Sequence, residues 1–445
     1  MNILFFLLGL FSTLQIFKYN LFGASIYPFD LIYYALIVVL FVNVIKNRAA
    51  DPTNTSGKGK IILAVFIAYS IFSVNMFSPI LDGVGNDYLL VTFKFFIKKL
   101  IFLVFFFLIL YSRDDFKRKF INYFIMGFII SIFLHAIYSY FTSYFWYFQN
   151  IDIHSKWLNA IGITEASVQH GFRNFIYYPI LRTTGFHWDP AYFGVWGVLG
   201  VFYIFLKPYN LKKKLFLILV IVVPWILTFS RSAVFGLLAV IVILIITMIY
   251  NRKPLKHIWN LKNVIIIIVL LHIIVLMMLA TSITGKIDFK EVFRSRMEVD
   301  VHTQKHLQYP GMALKALTKD PLHFAIGYGN RNSGRAVVED IIAIQDNYSP
   351  TRAFDIETDL VRIPLNTGFL GFSTYLLFLI IICVELIKKY YRSNNEINLF
   401  VVIAIITTFF AGFFYAYSDS VWIWMFYAIA VLLLLADSEK VDIKQ

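Results

Sequence analysis

Three carboxylates stand just before a long apolar run in the last third of the chain. They are Asp355, Glu357 and Asp359, in the segment RAFDIETDLVR that ends at Arg362. A carboxylate beside a hydroxyl group can accept its proton, so these residues could supply a general base. Acidic residues before a helix also serve as caps that complement the helix dipole, and this interpretation stays open.

Two arginines lie in connections between apolar runs and could bind a phosphate. Arg182 opens the motif RTTGFHWDPAYFG, and Arg231 lies in the motif LTFSRSAVFGLL. A guanidinium carries a planar fork of donors that matches phosphate oxygens, although an arginine at a lipid boundary can also snorkel toward water. Two such side chains from separate connections at the same depth favour a diphosphate over a carboxylate.

The motif after Arg182 contains a histidine and a helix start. Asp189 and Pro190 are typical of an N-cap and a first helical position, so the motif could be only a turn at Gly185 followed by a cap. In the functional interpretation, His187 is an acid, a base or a donor to a bound sugar. The lone histidines of the apolar runs, at positions 135 and 272, are predicted to be packed and hydrogen-bonded.

Three lysines interrupt the apolar run at residues 93–111. Lys94 can snorkel, but Lys98 and Lys99 are predicted to lie deeper, where an unpaired charge is costly. They need a partner, a polar cavity or an anionic ligand, so Lys98 joins the candidate diphosphate-binding residues. Arg352, which begins the carboxylate-rich segment, is a further candidate of this kind.

The composition of the chain indicates its class. Of 445 residues, 59% are hydrophobic and only 15% are charged, whereas soluble domains carry about 25% charged residues. Long apolar runs with so few charges predict a polytopic membrane protein. The net charge of +14 is expected from basic cytoplasmic loops and does not indicate nucleic acid. The single cysteine, Cys383, excludes an internal disulfide and a cysteine metal cluster.

The apolar runs predict an all-α fold, a polytopic membrane helix bundle with about 12 transmembrane helices, because a spanning helix needs about 20 mostly apolar residues. Residues 1–445 are expected to form a single integral membrane domain. The first run has no basic region before it and no cleavage site, so we interpret it as a retained helix. The predicted spans are residues 3–18, 28–46, 61–80, 93–111, 119–143, 189–207, 213–229, 232–250, 262–281, 362–385, 396–416 and 419–437.

Lysine and arginine are concentrated in alternate connections, and this asymmetry predicts the orientation of the bundle. Both termini are expected in the cytoplasm. A large external loop is expected at residues 282–361, between spans 9 and 10, with a second external stretch at residues 144–188. Within the large loop, residues 289–319 are predicted to form one or two surface helices broken at Pro310-Gly311. The sequence GYG at residues 327–329 lacks the Lys-Ser/Thr of a phosphate loop and predicts a turn.

Together these motifs resemble the O-antigen polymerase and ligase superfamily of bacterial envelope enzymes. The resemblance covers residues 181–377 and also includes the motifs KDPLHFAIGYGN and ETDLVRIPLNTGFLGFSTYLL. It implies a glycosyl transfer outside the cytoplasmic membrane that needs no metal and no cofactor, with a saccharide on undecaprenyl diphosphate as the donor. Arginines of the family bind the diphosphate, and the matching positions here are Arg182 and Arg231.

The ligase branch of this family has a His-Asn pair where this chain has Glu357 and Thr358, eleven residues before Gly368. The missing histidine favours a polymerase, in which an acidic residue takes the position of the base. Glu357 is therefore the first candidate catalytic residue, Asp359 the second and His187 the third.

The first functional hypothesis is thus a polymerase of lipid-linked repeat units, in O-antigen, capsule or exopolysaccharide synthesis. The alternatives are an O-antigen ligase that transfers glycan to lipid A core, and a flippase or secondary transporter. Transporters tend to have broken helices around a midplane site, and here Pro224 is the one candidate break. The expected location is the bacterial cytoplasmic (inner) membrane, with the active site on the periplasmic face. The expected partners are undecaprenyl-diphosphate-linked oligosaccharide, membrane lipid, a chain-length regulator and a flippase.

Overall fold

The computed structural model shows an almost wholly helical chain. Apart from one short ribbon, all regular elements in the part that it describes are helices. The described residues are 1–14, 19–21, 24–46, 57–149, 151–160, 182–187, 189–228, 230–251, 266, 301–330, 332–338, 356 and 358–435.

The helices follow the predicted apolar runs closely. Each predicted span within the described ranges contains a helix, and the loop before span 10 contains three more. The helices are α1 (Asn2–Phe11), α2 (Pro28–Lys46), α3 (Gly57–Phe72), α4 (Phe77–Leu81), α5 (Asn86–Leu110), α6 (Asp114–Gln149), α7 (Ile153–Ala160), α8 (Pro190–Leu206), α9 (Leu211–Ile226), α10 (Arg231–Asn251), α11 (Val301–Thr318), α12 (Pro321–Ile326), α13 (Ser333–Ala336), α14 (Asp359–Ser393), α15 (Glu396–Ala411) and α16 (Val421–Leu435).

Five helical segments of the described chain are long and apolar enough to cross a bilayer, so the chain is an all-α membrane protein. Four shorter apolar helices, α1, α8, α15 and α16, have 10–17 residues. The predicted number of about 12 spans is therefore not confirmed, since about 20 residues are needed per crossing. The ninth predicted span lies outside the described residues, except for Ile266. The five segments are Pro28–Lys46, Gly59–Leu81, Asp114–Gln149, Arg231–Ile249 and Asp359–Ser393.

The first predicted span is shorter in the structure than in the sequence analysis. Helix α1 ends at Phe11 and has 10 residues, which gives a length of about 15 Å. An antiparallel ribbon of β1 (Tyr19–Leu21) and β2 (Ala24–Ile26) then leads into α2, with Tyr19 opposite Ile26.

The chain divides into two compact units. Unit 1 comprises Met1–Leu36, Arg118–Asp300 and Ile406–Ala411, and unit 2 comprises Ile37–Lys117, Val301–Ile405 and Gly412–Gln445.

In unit 1, α1 and α6 pack in backbone contact. A Cβ on Gly9 would lie 2.0 Å from the carbonyl oxygen of Phe124, and one on Gly127 would lie 2.0 Å from that of Phe6. Small residues let membrane helices approach in this way, because van der Waals packing rather than the hydrophobic effect drives their association in lipid.

In unit 2, aromatic side chains join α3, α14 and α16. Tyr69 stacks on Trp424 with ring centroids 5.4 Å apart, and Phe66 packs beside the same indole. The hydroxyls of Tyr375 and Tyr427 are 3.1 Å apart, so the buried phenols satisfy each other. Trp424 also contacts polar residues of unit 2, because its Nε1 donates to the carbonyl of Ser418 at 2.6 Å.

Helix α14 is broken at Gly368, whose φ of 66° and ψ of −174° are not helical. Backbone amides of the loop that precedes α13 donate to the carbonyls just before this break. The amide of Tyr328 donates to the carbonyl of Leu365 at 2.7 Å, and that of Gly329 donates to the carbonyl of Asn366 at 3.0 Å. Non-helical backbone at membrane depth persists only where other groups satisfy it, and here the loop does so.

The GYG turn makes this contact possible. Gly327 and Gly329 both have positive φ, which confirms the predicted turn. A Cβ on Gly327 would lie 2.5 Å from the amide nitrogen of Gly368, so two glycines face each other where the loop meets the broken helix.

The predicted break at Pro310-Gly311 is wrong, because α11 runs through both residues from Val301 to Thr318. A proline inside a helix costs about 3 kcal/mol or more. The helix buries Ala313, Ala316 and Leu317 in one hydrophobic cluster of unit 2, and this packing offsets the cost.

Candidate functional site

The loop that carries Arg182 is attached to the end of α9. The Nε of Arg182 donates to the carbonyl of Thr228 at 2.8 Å. The amide of Thr183 donates to the carbonyl of Leu227 at 3.2 Å. The hydroxyl of Thr183 donates to the carbonyl of Pro224. The last carbonyls of a helix have no partner within it, and this loop supplies donors for them.

The same turn leads into α10, whose first residue is Arg231. The hydroxyl of Ser230 accepts from the amide of Ala233 at 3.3 Å, as an N-cap does. Thr228 and Arg231 are three residues apart, so the bond from Arg182 to Thr228 brings the two predicted diphosphate-binding arginines to one turn of unit 1. The start of a 21-residue helix adds a partial positive charge at that turn.

Buried histidines hold the next residues of the loop. Gly185 has a φ of +61°, and a Cβ on it would lie 2.4 Å from Nδ1 of His135. That Nδ1 accepts from the amide of Phe186 at 2.8 Å, while Nε2 lies 3.2 Å from the hydroxyl of Thr13. The prediction that His135 is packed and hydrogen-bonded is confirmed.

His154 is a second buried support, and the sequence analysis did not single it out. Its Nδ1 lies 3.0 Å from the hydroxyl of Tyr138, and its Nε2 lies 3.2 Å from that of Thr184. Burial lowers the pKa of His154 to about 4, so the ring is neutral near pH 7. The ring of Tyr138 also stacks on Phe186, with centroids 4.0 Å apart.

His187 is fully buried in this structure. Its Nδ1 accepts from the amide of Asp189 at 3.0 Å, and its ring lies 4.2 Å from that of Tyr192. Burial lowers the pKa of His187 well below its usual range. These contacts favour a role in shaping the loop, and a catalytic role of His187 stays a prediction. The carboxylate of Asp189 accepts from the amide of Ala191, which confirms the predicted cap of α8.

Asp359 is the first residue of α14, and it is buried in unit 2. Its Oδ2 accepts from the backbone amides of Tyr417 and Ser418, each at 2.7 Å. Its Oδ1 accepts from the hydroxyl of Ser418 at 2.7 Å and from Nη2 of Arg362 at 2.6 Å. The carboxylate is therefore occupied by contacts to the connection between α15 and α16, although its role as a base stays a prediction.

Arg362 extends this group into a buried network of ions. Its Nη1 donates to Asp419 at 3.0 Å. Lys99 lies 3.9 Å from the other oxygen of Asp419 and only 3.2 Å from the ring centroid of Trp424. Two cations and two carboxylates thus compensate one another beside an indole, as buried charges require.

The two adjacent lysines of α5 differ. Lys99 is buried with the partners just described, whereas Lys98 is exposed. The requirement for a partner is therefore met for Lys99, and binding of an anion by Lys98 stays a prediction. Glu357 and Arg352, the remaining candidates, lie outside the described residues.

The loop around α12 is fixed to the end of α4 by a second polar cluster in unit 2. The two ring nitrogens of His323 lie 2.5 Å from Asp320 and 3.0 Å from Asp82, and Arg335 also contacts Asp82. Asp320 caps α12 by accepting from the amide of Leu322, and this bond lowers the pKa of its carboxyl. No local pattern in the sequence indicates the contact between His323 and Asp82, because the two residues are 241 positions apart.

Among the described residues, no three His, Cys, Asp or Glu side chains are grouped closely enough to hold a metal ion. Comparison with known families adds nothing to these contacts, since no protein-family model and no curated protein matches the chain.

Proposed function

We propose that the chain is a polysaccharide repeat-unit polymerase of the bacterial cytoplasmic membrane. It transfers a glycan from undecaprenyl diphosphate to the acceptor end of another lipid-linked oligosaccharide, on the external face. The observation that supports this proposal most strongly is the bond from Arg182 to Thr228, three residues before Arg231. It brings Arg182 to the turn that leads into Arg231, at the positive end of α10, and two arginines at such an end are suited to a diphosphate.

In the proposed reaction, the oxygen of an acceptor hydroxyl forms a bond to the anomeric carbon of the donor. The bond from that carbon to the diphosphate oxygen breaks, and undecaprenyl diphosphate leaves with the electron pair. Arg182 and Arg231 stabilise the charge of this leaving group. A carboxylate takes the proton of the acceptor hydroxyl, and Glu357 is the first candidate for that role.

The arginines can be tested one at a time. A hydrogen bond to a charged group contributes about 1.5–3 kcal/mol, so Arg182→Ala and Arg231→Ala are each expected to lower the rate of transfer about 10- to 150-fold. Arg182→Lys keeps the charge and loses the Nε bond to Thr228, so its rate should lie between those of wild type and Arg182→Ala.

The assay follows the length of glycan over time, and hence the rate of transfer, with purified protein and undecaprenyl-diphosphate-linked repeat units at matched protein amounts. Arg113→Ala is the control, because Arg113 is exposed and forms an ion pair with the neighbouring Asp115. Normal chain length in both arginine-to-alanine variants would contradict the diphosphate assignment.

One observation favours a second function. The break of α14 at Gly368 is the type of discontinuity found in transporters, so a flippase is the second candidate. A strain that lacks the gene separates the possibilities on a gel. Single repeats attached to the acceptor indicate a polymerase, accumulated lipid-linked polymer indicates a ligase, and repeats trapped on the cytoplasmic side indicate a flippase.

A further inference from the structure

Arg362 connects two parts of unit 2 that are far apart in the chain. It lies in the first turn of α14, and its guanidinium reaches Asp419 with Nη1 and both Asp359 and Ser418 with Nη2. These partners include residues 56 and 57 positions away. A planar fork can hold acceptors on two edges at once, which the single ammonium of lysine cannot do in the same geometry.

The start of α14 is attached to the same connection through its backbone. The amides of Asp359 and Leu360 donate to the carbonyl of Gly412, at 2.8 Å and 3.4 Å. The carboxylate of Asp359 receives the amides of Tyr417 and Ser418 in return. The start of α14 thus donates to the connection, and the connection donates back to Asp359. Arg362 neutralises the charge of the Asp359 carboxylate.

The chain is anchored again just before this point. The amide of Ile356 donates to the hydroxyl of Ser333 at 3.0 Å, and the side chain of Ile356 is buried in the cluster that contains Ala316 and Val337. Position 357 is therefore preceded and followed by residues with separate attachments. Glu357, the first candidate base, occupies that position in the sequence.

We propose that Arg362 is a positioning residue, which acts through Asp359 and Ser418 to hold the segment of residues 358–362, which directly follows Glu357 in the sequence. In this assignment Asp359 is the anchor of the segment and does not accept the proton of the acceptor hydroxyl. The proposal rests on the proposed glycosyl transfer, because positioning has a meaning only relative to a reaction.

The central test is Arg362→Lys, studied in the full-length purified protein. The variant is expected to fold, to bind undecaprenyl diphosphate with a Kd within about twofold of wild type, and to transfer glycan with a kcat at least about tenfold lower. Lys388→Met is the matched control, because Lys388 forms an exposed ion pair with Glu385 near the other end of the same helix. It should leave both values unchanged.

Two outcomes of this experiment would overturn the proposal. A kcat close to wild type would show that the fork of Arg362 is not needed, and a Kd raised in parallel with the loss of kcat would make Arg362 a ligand-binding residue. If Arg362→Lys does not fold, Ser418→Ala takes its place. It keeps all four charges of the network, and it should give the same selective loss of kcat, to a smaller extent.

Asp359→Asn separates the anchor from a base. If Asp359 is only an anchor, the variant should have a lower kcat at every pH. The shape of its pH profile should then be the same as that of wild type. Loss of the rising limb of that profile would instead identify Asp359 as the base and overturn the assignment.

The proposed function and the positioning role can fail separately. If the wild-type protein neither binds undecaprenyl diphosphate nor transfers glycan, the proposed function is wrong. Hydrogen exchange then still decides whether Arg362 holds the segment. The amides of Tyr417 and Ser418 should exchange at least about tenfold faster in Arg362→Lys and not in Lys388→Met, and unchanged exchange would refute the role of Arg362.

Discussion

Gly185 offers a test of how the arginine-bearing loop is held. The residue has a φ of +61°, and a Cβ added to it would lie 2.4 Å from Nδ1, 2.8 Å from Cβ and 2.9 Å from Cγ of His135. The ring of His135 is fully buried and bonded on both nitrogens, so it has little freedom to move. We expect Gly185→Ala to destabilise the protein and to displace Arg182, three residues earlier.

The expected loss has two parts. An L-residue in the left-handed region costs roughly 1–2 kcal/mol. Forcing an extra methyl group into a packed site costs about 1–3 kcal/mol more. The free energy of unfolding should therefore fall by about 2–5 kcal/mol, which is a large fraction of the stability of most domains.

Gly83→Ala is the matched control for the backbone part. Gly83 has nearly the same φ, +59°, and a Cβ there would meet nothing within 4 Å. The difference between the two variants then reports the contact with His135, expected at about 1–3 kcal/mol. The measurement is unfolding in mixed micelles with increasing denaturing detergent, together with binding of undecaprenyl diphosphate.

A double variant shows whether the ring itself is responsible. Adding His135→Ala removes Nδ1 and Cγ, the ring atoms that an alanine at position 185 would meet, and leaves only Cβ of residue 135. The two substitutions should therefore be coupled by about 1–3 kcal/mol. Additive effects, or equal losses in Gly185→Ala and Gly83→Ala, would refute the view that His135 and Gly185 shape the loop.

Further predictions concern pH, the broken helix and the loop helix. The pKa of His154 is lowered to about 4, so the unfolded chain binds a proton first as the pH falls. The free energy of unfolding should therefore decrease below pH 6.5, by about 3 kcal/mol near pH 4, and His154→Gln should reduce this dependence in unfolding titrations. Gly368→Ala should lower the apparent Tm by several degrees, because a Cβ there lies 2.4 Å from the backbone of Ala325. Gly311→Ala should raise it, since α11 has open space at that position and alanine is favoured by about 1 kcal/mol in a helix; an unchanged or lower Tm would contradict this.

Local patterns in the sequence predicted much of the secondary structure. Asp189 and Pro190 start α8 as expected, because the cap involves only neighbouring residues. The break expected at Pro310 is wrong, since packing of the buried face of α11 outweighs a local preference. Neighbouring lysines on α5 could not be distinguished either, because consecutive helical residues point in directions about 100° apart. Whether Lys98 or Lys99 faces protein depends on neighbours that no local pattern contains.

The sequence by itself determined that this is an all-α membrane protein and where most of its helices lie. Apolar runs of sufficient length, caps and turn glycines act over a few residues, so their effects can be predicted from the chain alone. Only the tertiary structure decided that Arg182 bonds to the turn before Arg231, that Arg362 joins Asp359 to Asp419, and that α14 is broken at Gly368. Each of these depends on partners 37 to 57 residues away, which satisfy charges and backbone groups that would otherwise be buried without a partner.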